Sequence, residues 1–354
     1  MGITHRWQKE PGPRLQGSRP LDSSKLQAPC IVRNPSGGYR LFYTAVGPDK
    51  PFTVCQGYLL SAVSDDGLLF RTEPGIRVAP QSEMAHACLR VIAPTVTSRA
   101  GGGWRMYFEA RGPADHPTVI CSAVSDDMLD WSYEDAIRLQ NAGGVRSPRF
   151  LPLPDGRGRL YCCGSEGEPE QSGERSAVGV LSAVTSDGLN FEFEPGLRFR
   201  AGQTEHEASI SAAEVLAPTS PGGPWAMFYS AWQGVAPGTV VPVHPSSDPN
   251  ATANGLSADF AAASIATDMA GFRSRIFLSH SADGLVWERG ECVIEGAGYD
   301  GKGLDAVHAE DMSLIEIDEG RYRMYYAACD GKGRWRIASA VTVDAEYAPD
   351  RPIR

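Results

Sequence analysis

The sequence predicts an all-β chain folded as a five-bladed β-propeller, and three observations predict it. A strand-and-turn motif recurs five times along 354 residues. An aromatic-rich run precedes each copy at a near-constant distance. The N-terminus repeats a segment that the last copy lacks. A fixed period of this kind is the mark of a repeat architecture and takes precedence over length-based expectations of two domains. The whole chain, 1–354, therefore reads as a single propeller domain, with one insertion over 233–273.

The motif is clearest at Ser61-Ala62-Val63-Ser64-Asp65-Asp66-Gly67-Leu68-Leu69-Phe70. It returns from Ser122 to Trp131, from Ser182 to Phe191 and from Leu278 to Trp287, and a shortened copy runs from Ser339 to Asp344. Small and branched residues form a strand, Asp-Gly or a near equivalent takes the turn, and an aromatic residue opens the next strand. About twenty residues earlier stand Tyr39–Tyr43, Trp104–Phe108, Arg159–Tyr161, Trp225–Tyr229 and Tyr322–Tyr326. A Gly/Pro-rich loop and a further apolar run precede each. That makes four antiparallel strands per repeat, the unit of a propeller blade.

The N-terminal Trp7-Gln8-Lys9-Glu10-Pro11-Gly12-Pro13-Arg14-Leu15 matches Phe70–Val78 and Phe191–Phe199, the fourth strands of two internal repeats. The fifth repeat has no such strand of its own. The N-terminus is expected to supply it and close the ring, leaving no blade with an open edge.

Successive copies start 61, 60, 96 and 61 residues apart. The long step places an insertion between the second and third strands of blade four. Its first half is Pro-rich. Its second half, 257–270, has Ser257 as an N-cap, Ala-rich helix formers and Gly271 as a stop, so one helix is expected there. A lid or an oligomer contact are the two roles such an insertion suggests, and the oligomeric state is left open.

The formal net charge of −10 argues against a general nucleic-acid or anionic-membrane surface. No apolar run is long enough to span a bilayer, and the first residues form no signal-peptide core. The eight cysteines follow no metal-ligand spacing, and Cys30, Cys121, Cys162 and Cys163 fall within expected strands. Buried free thiols in a reducing cytoplasm are the expectation.

In a four-stranded meander, the loops entering strand one and those joining strands two and three share a face. The Asp-Gly hairpins lie on the other face, where their aspartates are expected to cap turns. The first face gathers Glu83, His86, Arg146, Glu205, His206, Glu207, Asp305 and His308, with Glu109 and Arg111 at the end of strand two of blade two, Asp115 and His116 just after it, and Trp232 and His244 in blade four. On the innermost strands, Glu214, Glu310 and Asp311 accompany Arg90 and Arg149. Carboxylates meeting arginines and histidines in a narrow pocket suit general acid–base work. Polar loops of no special function, and structural ion pairs of Arg90 or Arg149 with Glu214 or Glu310, are the plainer alternatives.

With its Ser-x-Asp-Gly-x-x-Trp/Phe hairpins and aromatic second strands, the chain resembles the five-bladed glycoside hydrolase superfamily of arabinanases, β-xylosidases, invertases and levansucrases, nearest to family 43. That resemblance implies hydrolysis by an Asp before the Pro of blade one, an Asp after the Ala-Pro of blade two and a Glu from a later blade. The first position falls on Ala28 and the second on Thr95, with Glu214 the remaining counterpart of the acid. The Asn-Asp-Pro and Arg-Asp-Pro signatures of invertases are absent.

Three functions are therefore carried forward. The first is a glycoside hydrolase-like enzyme acting on a sugar or sugar-like small molecule at a relocated axial site. Its catalytic candidates are Glu214, Glu310, Asp311, His308 and Glu207, with Arg90, Arg146, Arg149, Trp232, Glu109 and Arg111 binding substrate and Tyr299 a further stacking candidate. The second is a divalent-metal enzyme using His86, His206 and His308 with Glu207 or Glu310, although no cofactor is required by the sequence. The third is a non-catalytic carbohydrate-binding propeller.

Overall fold

A computed structural model describes residues 6–23, 25–46, 57–113, 116–166, 178–203, 207–234, 238 and 272–343. Most of the 233–273 insertion, including the helix expected over 257–270, lies outside the described residues, among which every regular element is a strand.

The strands fall into antiparallel meanders in chain order. The N-terminal pair is β1 (Trp7–Lys9) and β2 (Leu15–Gln16). The first sheet holds β3 (Lys25–Arg33), β4 (Tyr39–Val46), β5 (Gly57–Ser64) and β6 (Arg71–Thr72). The second holds β7 (Arg90–Ser98), β8 (Trp104–Arg111), β9 (Val119–Ser125) and β10 (Ser132–Leu139). The third holds β11 (Val145–Pro152), β12 (Gly158–Ser165), β13 (Val178–Thr185), β14 (Glu192–Phe193) and β15 (Phe199–Arg200).

A nine-stranded sheet completes the set. One meander of it runs through β16 (Ser209–Leu216), β17 (Trp225–Gly234), β18 (Phe272–Ser281) and β19 (Glu291–Ile294). The other runs through β20 (His308–Asp318), β21 (Arg321–Cys329) and β22 (Trp335–Thr342). A single parallel bridge, Ser274 to His308, joins the two. They are called the fourth and fifth meanders below.

The outer strand of the fifth meander comes from the N-terminus. Trp7 pairs with Thr342 and Lys9 with Ala340, and Leu15 pairs with Ile337. Glu10 then binds Arg323 through two hydrogen bonds, and Ser339 Oγ donates to Glu10 at 2.7 Å. The same Arg–Glu–Ser cluster forms from Arg40, Glu73 and Ser61, from Arg105, Glu134 and Ser122, and from Arg159, Glu194 and Ser182. The fourth meander has Ala226 where the others have arginine and Leu278 where the others have the serine, so the cluster is absent there.

Sheets are stitched to their neighbours by these second strands. Arg40 donates to the Asp127 carbonyl in the next hairpin, Tyr107 to Gly188, Tyr161 to Gly284 and Tyr325 to Gly67. Between sheets lie the apolar cores. One packs Phe42 and Leu59 against Val91, Met106 and Phe108. Another packs Tyr43 and Leu41 against Tyr325 and Ile337. Adjacent residues such as Phe42 and Tyr43 thus face opposite cores, which is why the second strands are apolar without alternation.

The hairpin aspartates cap their turns. Asp66 Oδ1 accepts from the Leu68 and Leu69 amides, and Asp127, Asp187 and Asp283 repeat the arrangement. Gly67, Gly188 and Gly284 take the left-handed turn position, and in the second repeat Met128 takes it at φ 65°.

The inner strands carry a feature that positions the site. Each has a register shift close to its start: between Gln27 and Cys30, Ile92 and Thr95, Arg146 and Arg149, Ile210 and Ala212, and Glu310 and Ser313. Ala28, Ala93, Ser147 and Asp311 stand at equivalent points of four of these bulges, all left-handed, with φ of 47°, 54°, 51° and 52°. A left-handed residue in a bulge re-aims the chain. As a result, consecutive side chains can turn to one side, which an unbroken strand forbids.

Candidate functional site

A cavity of about 380 Å³ opens among these bulges. Lys25, Gln27, Arg90, Ile92, Arg146, Ser147, Glu310 and Asp311 reach it from the starts of four inner strands, and Ser209, Ile210 and Ser211 from the fifth. Glu109 and Trp232 come from the ends of second strands, and Phe272 from the start of β18. Both Arg146 and Ser147, and both Glu310 and Asp311, line it, as the kink at the second member of each pair allows.

Side chains from the second strands hold the kinks in place. Each kinked residue has an amide that no regular ladder can satisfy. Ala93 N–H donates to Thr44 Oγ1 at 2.9 Å, Ser147 N–H to Glu109 Oε2 at 3.2 Å, and Asp311 N–H to Ser230 Oγ at 3.4 Å. Thr44, Glu109 and Ser230 are equivalent in the aligned second strands, and the fifth meander has Ala327 there. The Ala28 amide is served instead by the Asp311 carboxylate. Asp311 thus occupies a kink in one strand while capping the kink of its neighbour.

Glu109 does more than cap. Its other oxygen accepts from Arg90 Nη2 at 3.1 Å, and both side chains are buried. Asp311 is 8% exposed. Burial pushes its carboxyl up to about 6, with the Arg149 and Lys25 charges opposing and Glu109 adding to the rise. A carboxyl poised there can donate and accept protons near neutrality.

Below the kinks the inner strands continue into a second layer. Cys30, Thr95, Arg149, Glu214 and Ser313 form it, each paired with an equivalent aromatic position of the second strand. Arg149 donates to the carbonyls of Pro29, Pro94, Pro148 and Met312, from three different strands besides its own step. Its Nε lies 2.8 Å from Glu214 Oε2, an ion pair by distance whose N–H is not aligned for a hydrogen bond. Burial raises the Glu214 carboxyl and Arg149 opposes the rise. Glu214 therefore sits below the cavity rather than at the strand start.

The other expected residues are dispersed. Glu207 accepts from the Tyr229 hydroxyl at 2.5 Å and pairs with Arg289, away from the cavity lining. His308 is fully buried, its Nδ1 3.0 Å from Ser274 Oγ. Its ring stacks on Trp335 at 5.3 Å and lies tilted against Trp232 at 5.0 Å. Asp305 binds Lys9 and the Tyr326 hydroxyl, and Tyr299 donates to the Phe272 carbonyl. Arg111 and His86 lie outside the lining, and His116 follows the end of β8. Glu205, His206, His244 and Asp115 fall outside the described residues. Among the described residues no three His, Cys, Asp or Glu side chains gather to hold a metal ion.

Lys25, Gln27 and Phe272 are lining residues that motif reading misses. Aligning the inner strands on their Ala-Pro or Ser-Pro step finds Lys25, because it falls in register with Arg90 and His308.

No family model matches the chain, and no curated protein matches it by sequence. Solved structures match it in fold. A complex of BT0996 with RGII aligns over 97% of this protein and 94% of its own length, at 15% identity and a TM-score of 0.64. A structure concerning the GH130 family of mannoside phosphorylases, said to contain glycoside hydrolases that target beta-1,2 mannosidic linkages in Candida mannan, aligns over 98% and 95% at 13% identity and a TM-score of 0.62. A thermostable family-43 glycoside hydrolase aligns over 94% and 93% at 14% identity and a TM-score of 0.56. The protein has the propeller-type fold of glycoside hydrolases, at sequence identities that speak to fold alone.

Proposed function

We propose that the chain is a single five-bladed propeller, its five meanders the blades, and that it hydrolyses a glycosidic bond in the cavity. The observation that carries this is the Glu310–Asp311 pair at the kinked start of β20, both lining the cavity, where burial pushes the Asp311 carboxyl up to about 6. Asp311 is the proton donor to the departing glycosidic oxygen, because its carboxyl keeps its proton closer to neutrality than an exposed one. Glu310 takes the proton from the attacking water. Glu109, held by Arg90 and the Ser147 amide, supplies fixed negative charge to a positively charged sugar transition state. Trp232 and Phe272 offer apolar faces for a sugar ring.

The volume falls within the roughly 300–1,000 Å³ common for small-molecule sites. Glu214 and His308 act as support in this reading, one as counter-ion to Arg149 and one as a spacer between two indoles. A carboxylate at Asp311 instead of Ala28 moves the chemistry by one blade. The buried free thiols of Cys30, Cys121, Cys162, Cys163 and Cys329 support a reducing, cytoplasmic setting.

The test is turnover of a panel of α- and β-aryl glycosides and oligosaccharides by the full chain, Asp311→Asn and Glu310→Gln. Each variant is expected to lose at least about a hundredfold in kcat at a melting temperature no lower than the parent's. Equal turnover by both variants and the parent would overturn the assignment. The neutral residues Ala28 and Thr95 favour a second reading, a sugar-binding propeller without turnover. It predicts sugar binding with no product from any substrate.

A further inference from the structure

The charges around the cavity are equal in number but not all paired with one another. Its lining holds three cations, Lys25, Arg90 and Arg146, and three carboxylates, Glu109, Glu310 and Asp311. Arg90 is taken by Glu109 at 3.1 Å. Arg149, one layer below, is occupied by Glu214 and four carbonyls. Arg146 is half-buried and makes no hydrogen bond or ion pair with any described residue. The fold does not call for an arginine there, since the equivalent positions hold Gln27, Ile92 and Glu310. A partly desolvated guanidinium without an anion is costly, and a ligand that supplies the anion removes the cost. The lining also contains the Trp232 indole N–H, buried and without an acceptor.

We propose that the cavity selects a sugar carrying one carboxylate, a uronic acid residue, and that Arg146 is the group that reads it. This rests on the glycosidase reading above and names its substrate class. Arg146, with no anion of its own among the described residues, leaves one positive charge for the ligand to match. A carboxylate brings one charge in a plane that suits the guanidinium fork. A phosphate ester, at roughly −1.5 to −2, overcompensates. In a uronic acid the carboxylate replaces a hydroxymethyl group on the ring, so it adds little volume.

The experiment is calorimetric binding of D-glucuronate, D-galacturonate, D-glucose, D-galactose, inorganic phosphate and sulfate to the full chain, Arg146→Met and Arg146→Lys, with melting temperatures confirming that each is folded. The uronates are expected to bind at least about tenfold more tightly than their neutral partners. That ratio should fall to near one in Arg146→Met and recover in part in Arg146→Lys. A ratio near one in the parent, or one that survives in Arg146→Met, overturns the proposal. So does phosphate or sulfate binding as tightly as a uronate with the same dependence on Arg146, which reassigns the anion. If neutral glycosides are turned over and Asp311→Asn abolishes this while uronates are not preferred, the acid–base reading stands and the uronate proposal alone falls. If no sugar of either kind binds, both fall.

Discussion

Glu10 and Arg323 are 313 positions apart in the chain and 2.9 Å apart in the fold. Their contact ties the first described strand to the last meander, and it repeats the contact that Glu73 makes with Arg40 and Glu194 with Arg159. Removing one partner leaves the other charge buried and uncompensated. Glu10→Ala is therefore expected to cost about 3–5 kcal/mol, read as a lower urea midpoint. Deleting residues 1–16 should remove the single cooperative transition, because β22 then loses its outer partner. Unaltered unfolding of the truncated chain would refute a closing role for this strand.

Glu214 and Arg149 provide a contrast between support and chemistry. Glu214→Gln is expected to move stability by no more than about 1 kcal/mol at pH 7, because burial already disfavours the ionised carboxylate against the opposing Arg149 charge and the amide fills the same space. Turnover per folded molecule should stay within a few-fold of the parent. A hundredfold fall in kcat without loss of stability would return Glu214 to the catalytic set.

Asp311 governs the pH response. Its carboxyl rises from the ordinary 3.8 to about 6, so between those values the folded chain holds more protons than the unfolded one. The associated stability is full below pH 3.8 and is lost as pH rises through 6. Asp311→Asn removes that loss, since the amide can still accept from Ala28. The variant should be more stable than the parent by about 1–3 kcal/mol at pH 7–8, the advantage vanishing toward pH 4. In the parent, kcat/KM should decline above pH 6 as the donor loses its proton. A melting-temperature difference independent of pH would contradict the shifted carboxyl.

Met128 sits where three sister hairpins have glycine. Its φ of 65° costs roughly 1–2 kcal/mol, which glycine would relieve. Its side chain is fully buried against Phe108 and neighbours, and deleting a buried Met costs about 2–5 kcal/mol. Packing outweighs strain, so Met128→Gly should destabilise by about 1–3 kcal/mol in a urea titration.

Much of the fold was legible because it is repetitive. The Ser-Asp-Gly hairpins and the match of Trp7–Leu15 to Phe70–Val78 depend on local turn chemistry and on a strand edge that needs a partner. The site was legible only in part. Arg90, Glu109, Arg146, Trp232, Glu310 and Asp311 converge as the loop topology implies. Glu214 lies one layer deeper than its spacing implies, because a bulge in β16 shifts its register and no periodicity signals where a bulge falls. His308 carries the expected chemistry type but is enclosed by Trp232 and Trp335, a matter of packing between sheets. Lys25 is one of five lysines, and nothing marks it as a lining residue until the inner strands are superposed.

The left-handed kinks at Ala28, Ala93, Ser147 and Asp311 make these positions rotational equivalents. Ser147 and Asp311, at two of these stations, are presented to the same cavity. An acid can vanish from one station and reappear at the next by point substitution, with the backbone unchanged. Such a ring tolerates migration of its reactive group, so two proteins of superposable shape can attack a sugar from different compass bearings.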